Sequence, residues 1–144
     1  MATQASDDAE TVRRYLKAFN DREWETLRGL LADDVVEHGV HEEFHGPDEI
    51  VEFLQEYFEV FPDYEGSTEE LLVDGDVVAV RYEASGTHSD SYEEIEPTGH
   101  TVEWSGMATY ELDDGRITEV WIEEDRIGLL EQLEVVDPPG HLRL

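Results

Sequence analysis

Residues 116–130, which read RITEVWIEEDRIGLL, decide the fold of this chain. Asp113, Asp114 and Gly115 come directly before them, between two alternating runs, and this arrangement is typical of a β-hairpin turn. In a regular strand after the turn, one face carries Ile117, Glu119, Trp121, Glu123 and Asp125, while the other carries Val120 and Ile122. A large aromatic ring beside carboxylates, just before a Leu-rich helical segment, predicts the wall of a cavity. A β-bulge in the strand would change this facing.

The rest of the chain divides into a helical first half and a β-rich second half. Apolar residues at helical spacing predict a helix ending near Asn20, and a second one from Trp24 to Leu31 closed by Asp33 and Asp34. A short β-like run at 35–38 follows. Gly46 and Pro47 begin a third helix that runs to about Val60.

Four β segments follow the third helix, the first two of them flanking the turn residues 74–76. The strand 101–112 places alternate residues on one face, namely Val102, Trp104, Gly106, Ala108, Tyr110 and Leu112. The order α-α-β-α-β-β-β-β predicts an α+β fold with a curved antiparallel sheet. We expect one domain over 1–144, with flexible or partner-docking ends at 1–6 and 137–144.

The composition is strongly acidic. The 144 residues include 38 Asp and Glu against 9 Lys and Arg, which gives a formal net charge of −29. Such charge strains a compact fold by self-repulsion, and molar salt relieves it by screening. We therefore expect a halophile's protein, working in a high-salt cytoplasm. Nucleic-acid binding is not expected without a basic face.

Other interactions are excluded by what the sequence lacks. There is no cysteine for disulfide or thiolate chemistry. The N-terminus does not have the basic start and apolar run of a signal peptide. No apolar stretch approaches the roughly 20 residues of a membrane helix, so we expect no membrane partner.

The motif at 121–133, W-x-x-x-D-R-x-G-L-L-x-Q-L, resembles the closing signature of the SnoaL-like polyketide cyclase, or ester cyclase, family. Further similarity lies in Tyr15-x-x-x-Phe19-Asn20, Gly86-Thr87-His88, Pro97-Thr98-Gly99 and Asp114-Gly115-Arg116-Ile117. The resemblance implies an NTF2-like, cone-shaped α+β barrel wrapped around N-terminal helices. It also implies that Asp125 is the acid–base residue. The chain departs from characterised cyclases at 105–109, where SGMAT contains no histidine.

Asp125 has two interpretations. In an apolar pocket beside Trp121, burial would raise its pKa toward neutrality and suit it to general acid–base catalysis. Alternatively, Asp125 caps the helix that starts at Arg126 by accepting hydrogen bonds from its free N–H groups.

The histidines also have two interpretations each. His38, His41 and His45 could form a metal site with Asp34 or Glu37 as a fourth ligand. Gly39, Gly46 and Pro47 interrupt a helix there, however, and we predict no metal and no cofactor. His38 is instead expected at a strand end, facing the cavity with a catalytic role. His88 is either a polar group at the pocket mouth or a solvated loop residue.

Aromatic residues complete the predicted site. The Tyr15 hydroxyl could stabilise an enolate oxygen, although core packing explains this residue equally well. Trp121 and Trp104 are expected in the cavity. The remaining residues predicted to bind ligand are Phe19, Phe58, His88 and Tyr82, and the aromatic members could equally be core.

Three functions fit these observations. The first is an acid–base enzyme that binds a small hydrophobic carbonyl compound or ester and catalyses an aldol-type cyclisation or related proton transfer. The second is a non-catalytic ligand-binding or assembly module on the same fold. A third, epoxide hydrolysis, would need an Asp–Arg–Asp cluster, suggested only by Asp125-Arg126. A homodimer or higher homo-oligomer is expected, because an open sheet must cover its second face.

Overall fold

The computed structural model describes residues 3–142, with side chains placed through Gly140. Three helices come first in the chain order, interrupted by two strands. They are α1 (Gln4–Asp21), α2 (Trp24–Gly29), β1 (Leu31–His38), β2 (Glu43–His45) and α3 (Gly46–Val60). The β-rich half contains β3 (Glu65–Asp74), β4 (Val77–Thr87), β5 (Thr101–Asp113) and β6 (Arg116–Glu124). The chain closes with α4 (Arg126–Gln132), β7 (Val136–Asp137) and β8 (His141–Leu142).

Six strands form one curved, unclosed sheet in the order β2-β1-β6-β5-β4-β3. The α+β class predicted from the sequence is confirmed. All neighbouring strands are antiparallel except β1 and β6, which run parallel. This parallel pair is a departure from the antiparallel sheet that we expected, and it joins the N-terminal half of the chain to the C-terminal hairpin.

The first two helices differ from prediction at their ends. Thr3 caps α1 in a reciprocal capping box with Ser6, so residues 4–6 of the end predicted to be flexible are helical. The second helix stops at Gly29, and Leu31 begins β1. The predicted extension to Leu31 is wrong because that residue pairs with Ile117 of β6, and this tertiary pairing overrides local helical spacing.

The core lies between the three helices and the concave face of the sheet. Val12 of α1, Leu27 of α2 and Ile50 of α3 are fully buried there. They pack with inward side chains of the central strands, such as Val80 and Val120. A second apolar cluster, formed by Phe61, Ala84, Val102, Trp104, Leu129 and Leu133, lies toward α4.

The β5–β6 hairpin contains the feature that determines the site. Its turn residues Asp114 and Gly115 both have positive φ, 50° and 77°, as a type I′ turn requires. The pairing then shifts, because Glu111 faces Glu119 while Leu112 faces Ile117. Thr118 is the extra residue of a β-bulge, and its hydroxyl donates to the Glu111 carbonyl at 3.1 Å.

The bulge reverses the facing predicted for β6. Ile117 is buried, but beyond the bulge the inward residues are Val120, Ile122 and Glu124. Trp121 therefore lies on the outer face with 39% of its surface exposed, and the prediction that it lines the cavity is wrong.

Both ends of the described chain contain regular secondary structure. Residues 137 and 141–142, within the C-terminal end predicted to be flexible or partner-docking, form the short β7–β8 pair. The remainder of that prediction, at 143–144, and of the N-terminal one, at 1–2, lies outside the described residues. Between 3 and 142, no helix has both the length and the apolar character needed to cross a membrane.

Candidate active site

A cavity of about 780 Å³ lies between the concave face of the sheet and helices α1 and α3. Its size is in the range of small-molecule sites. The lining includes Tyr15 and Phe19 of α1, Phe53 and Tyr57 of α3, and Ala108 of β5. The cavity is thus built from elements far apart in the sequence.

Every tyrosine of the chain lines this cavity. The sequence contains six, and they are Tyr15, Tyr57, Tyr64, Tyr82, Tyr92 and Tyr110. Burial raises the pKa of each phenol, so all six remain protonated at neutral pH and can donate hydrogen bonds.

Glu37 is the most deeply buried carboxyl group of the cavity. It lies near the end of β1, where strand alternation turns it inward with Val35, and only 2% of its surface is exposed. Burial, followed by the negative charge of Glu124, raises its pKa to about 7. No group within residues 3–142 hydrogen-bonds to its carboxyl oxygens. Glu37 is therefore free to interact with a bound molecule.

Glu124 is the second inward carboxyl group, at the end of β6. Burial raises its pKa, while the Tyr82 hydroxyl opposes that shift by donating to Oε1 at 2.7 Å. The nearby Trp104 N–H also lowers the pKa of Glu124. This N–H does not reach hydrogen-bonding geometry with any group in the described chain. Because Glu124 accepts a hydrogen bond from Tyr82 and the Glu37 carboxyl group accepts none from the described residues, Glu124 ionises first.

Gly106 makes the contact between Tyr82 and Glu124 possible. Tyr82, Gly106 and Glu124 are neighbours in one row across β4, β5 and β6. A Cβ atom at position 106 would collide with the ring and hydroxyl of Tyr82. Because position 106 of β5 has no side chain, the Tyr82 ring can lie across that strand and reach the Glu124 carboxylate.

The cavity mouth is acidic and is partly covered by the 88–100 connection. The acids at or near the mouth are Glu42, Glu43, Glu49, Glu52, Glu56, Glu59, Asp90 and Glu93. Arg126 of α4 holds the covering segment by an ion pair with Glu93 and a 3.0 Å hydrogen bond to the Tyr92 hydroxyl. His41 approaches Glu93 from the other side, at 3.1 Å.

Asp125 does not line the cavity. Its side chain is exposed, and Oδ1 accepts the Gly128 N–H at 2.9 Å at the start of α4. This is the helix-cap geometry considered from the sequence. The catalytic role stays a prediction without support from this placement, since the residue that the strand turns inward is its neighbour Glu124.

His38 also lies outside the cavity, contrary to its predicted facing. It follows the inward Glu37 and points to the outer face, where it stacks on Trp121 with ring centroids 4.8 Å apart. Its Nε2 lies 2.7 Å from Glu119. The part of the chain that the structure describes has no group of three or more His, Cys, Asp or Glu side chains placed to hold a metal ion.

The other predicted site residues divide between cavity and core. Tyr15, Phe19 and Tyr82 line the cavity. Phe58 packs against Phe19, Trp24 and Tyr64 in the core. Trp104 is buried in the second apolar cluster and does not line the cavity, but its ring packs against the cavity residues Tyr57 and Tyr64.

His88 is buried rather than solvated. Its Nδ1 accepts the Thr98 N–H at 3.1 Å, so the ring proton lies on Nε2, which has no partner among the described residues. Burial lowers its pKa. His88 does not line the cavity but joins the two ends of the 88–100 connection. Its backbone N–H also donates a hydrogen bond to the His100 carbonyl, at 2.9 Å.

Glu124 was not identified as a site residue from the sequence, and Glu37 was considered only as a ligand of a metal site that we do not predict. The strand period contains the information, because Glu37 shares a strand face with Val35, and Glu124 shares one with Val120 and Ile122. In a chain with 38 acids, however, composition does not distinguish these two from solvated carboxylates.

The curved sheet, the enclosing helices and the cavity are the architecture of SnoaL-like and NTF2-like proteins. The SnoaL-like polyketide cyclase family matches residues 9–133, and the chain belongs to that family. A comparison with curated proteins finds no match.

Solved structures support the same fold. IdmH from Streptomyces antibioticus, a candidate polyketide cyclase, is 31% identical with a TM-score of 0.78, over 89% of this chain and 99% of that one. A SnoaL-like candidate cyclase from Jannaschia sp. CCS1 is 21% identical with a TM-score of 0.85, over 96% and 98%. An LEH-like epoxide hydrolase from M. tuberculosis is 19% identical with a TM-score of 0.75, over 92% of each chain.

Proposed function

We propose that this protein is an acid–base enzyme that binds a small carbonyl compound in its cavity and catalyses an aldol-type cyclisation or a related proton transfer, without a cofactor. The observation that carries the proposal is the interacting pair Glu37 and Glu124 inside a tyrosine-lined cavity. Membership of the cyclase family and the similarity to IdmH support the reaction class.

The two carboxyl groups divide the proton chemistry. Near neutral pH, Glu37 holds its proton in about half of the molecules, because its pKa is about 7. In that form Glu124 carries the negative charge of the pair, since the Tyr82 hydroxyl donates a hydrogen bond to it. Glu124 removes a proton from the carbon next to a carbonyl group, and a tyrosine hydroxyl such as that of Tyr15 stabilises the enolate oxygen.

The cyclisation balances without another reactant. The enolate carbon attacks a second carbonyl carbon of the same molecule and forms the new C–C bond. The oxygen of that second carbonyl takes the proton of Glu37. The proton gained by Glu124 then returns to Glu37 through solvent, which restores the starting state.

The test is deuterium exchange of the α-protons of 2-tetralone in D₂O, followed by NMR. We expect the unmodified protein to exceed the buffer rate, Glu124→Gln to lose at least about tenfold of that excess, and Asp125→Asn to retain it. Glu10→Gln, an exposed residue of α1, is the matched control. An unchanged exchange rate in Glu124→Gln would end the proposal. A loss of exchange in Asp125→Asn would instead support Asp125 as the acid–base residue.

The alternative is a non-catalytic ligand-binding or assembly module, favoured by the capping role of Asp125 in the family motif. It predicts ligand binding in the cavity and no exchange above buffer. Epoxide hydrolysis gains no support, because Arg126 is held by Glu93 and Tyr92 and no arginine is among the described residues that line the cavity.

Two further properties belong to the proposal. A homodimer through the outer face of the sheet would cover its exposed apolar residues, which include Leu72, Met107 and Trp121. The net charge of −29 supports work in a high-salt cytoplasm of a halophile, where screening reduces self-repulsion.

A further inference from the structure

The charges around the cavity are all of one sign. Ten Asp and Glu side chains line it, and among the described lining residues there is no lysine or arginine. The mouth acids alone would reflect the general acidity of the chain. Glu37 is different, because only 2% of the residue's surface is exposed, it faces the cavity, and its carboxyl group has no hydrogen-bond partner in the described residues.

The tyrosines add the second component of a cation site. The negative charge of Glu124 raises the pKa of four of them, Tyr57, Tyr64, Tyr82 and Tyr92. The charge of Glu37 likewise raises the pKa of Tyr15 and Tyr110. Aromatic rings combined with carboxylates recognise ammonium groups, including quaternary ones.

The protein already uses this combination at the edge of the cavity. Arg126 binds the Glu93 carboxylate, and its guanidinium lies 5.7 Å from the centre of the Tyr92 ring. The interior has the same residue types but no cationic side chain of its own.

We infer that the molecule bound in this cavity carries a positively charged nitrogen, and that its ammonium group is held between Glu37, Glu124 and the surrounding tyrosines. This inference rests on the proposed function, and it narrows the substrate to an amine-bearing carbonyl compound. With one proton shared by the two glutamates, the pair has a charge of −1, so a monocation forms a neutral complex. An anionic compound of the same shape is repelled.

Three probes of nearly identical shape test the inference: choline, its uncharged isostere 3,3-dimethylbutanol, and the anion 3,3-dimethylbutanoate. Binding is followed at constant KCl by NMR of the tyrosine ring resonances. We expect choline to bind at least about tenfold more tightly than the alcohol, and the anion to bind least.

Variants then locate the preference. Glu37→Gln and Glu124→Gln should each reduce the choline-to-alcohol ratio severalfold, while Glu10→Gln leaves it unchanged. The comparison of three probes on the unmodified protein needs no variant, so misfolding of a variant does not obscure the result.

Equal binding of choline and the alcohol, or no binding of any probe, would overturn the inference. So would a choline preference that persists in both glutamate variants. The tetralone assay separates this failure from that of the proposed function. Equal probe binding with intact exchange removes only the cation inference, and a choline preference without exchange removes only the catalysis.

Discussion

At the scale of single residues, the site depends on two carboxyl groups that the fold shields from water, Glu37 almost fully and Glu124 in part. The Glu37 carboxyl group is buried without a hydrogen bond from any of residues 3–142, whereas the Glu124 carboxylate accepts one from the Tyr82 hydroxyl. Two like charges near each other in a low dielectric do not ionise together easily, so their environments separate their pKa values. This difference gives one base and one acid.

Burial of Glu37 predicts a pH-dependent cost to stability. Its pKa is about 7 in the folded state and lower in the unfolded state, so the folded state binds more protons between these values. The free energy of unfolding should therefore fall as pH rises through about 7. Glu37→Gln removes this term, worth at most about 3 kcal/mol.

The measurement is urea unfolding at pH 5 and pH 8. We expect Glu37→Gln to lose less stability between the two pH values than the unmodified protein, and Glu10→Gln to match the unmodified protein. An identical pH dependence in Glu37→Gln would show that Glu37 ionises normally in the folded state.

The cap at α4 gives a second prediction at residue scale. Asp125→Ala should cost about 1 kcal/mol, because the Gly128 N–H loses its acceptor. Gly128→Ala should remove the same interaction, since a Cβ there would collide with the Asp125 carboxylate. The spacing of Asp and Gly in the family motif thus has a structural reason.

A double-mutant cycle measures this coupling by thermal or urea unfolding. The Asp125→Ala/Gly128→Ala double variant should lose clearly less stability than the two single losses added together. Additive losses would mean that the two residues act independently and that the cap does not explain the motif.

At the scale of secondary-structure elements, one bulge decides which side chains reach the cavity. Thr118 is inserted opposite Glu111 and turns Val120, Ile122 and Glu124 inward. The neighbouring strand β5 must then leave room for the Tyr82 ring to reach Glu124, and Gly106 provides that room.

Gly106→Ala should destabilise the protein by about 1–3 kcal/mol, because the added methyl group meets the Tyr82 ring. Tetralone exchange should also fall as Tyr82 is displaced from Glu124. Unfolding and exchange are measured on the single variant and on Gly106→Ala/Tyr82→Ala, in which the collision is relieved. If Gly106→Ala lowers the free energy of unfolding as much in the Tyr82→Ala background as in the unmodified protein, contact with the Tyr82 ring is not the cause of the loss.

Much of the element pattern could be predicted from the sequence alone. The Asp114-Gly115 turn, the third helix and the alternation of β5 are strong local signals, and all three are confirmed. The facing of β6 could not be predicted, because the bulge depends on pairing with Glu111 rather than on local alternation. The short strand β2 and the parallel pairing of β1 with β6 depend likewise on distant partners.

The site was harder to predict than the fold. Tyr15, Phe19 and Tyr82 were identified and line the cavity. His38 and Trp121 were placed on the wrong face, because a shift of one residue moves every following side chain to the other side of a strand. The same shift concealed Glu124.

At the scale of the whole molecule, the outer face of the sheet remains apolar in part. Leu72, Ala79, Thr109, Trp121 and His38 form one row across five strands. Met107 lies in the next row and is 57% exposed. Such a patch on an otherwise acidic protein favours association.

Light scattering in molar KCl tests the association. We expect a dimer for the unmodified protein and a monomer for Met107→Glu/Trp121→Glu, because charge on the buried interface opposes pairing. Ile127→Glu, at an exposed apolar residue of α4, is the control and should stay dimeric. A monomeric unmodified protein, or a dimer that survives both sheet substitutions, would contradict this interface.

The proposed chemistry depends on two interacting carboxyl groups inside the cavity, and ¹³C NMR titration of glutamate carboxyl carbons measures them directly. Signals are assigned with Glu37→Gln and Glu124→Gln. We expect one carboxyl group to titrate near pH 7 and to move to lower pH in Glu124→Gln, since the neighbouring charge is removed. If every glutamate titrates between about pH 4 and 5, the pair is solvated and cannot supply the acid and base that we propose.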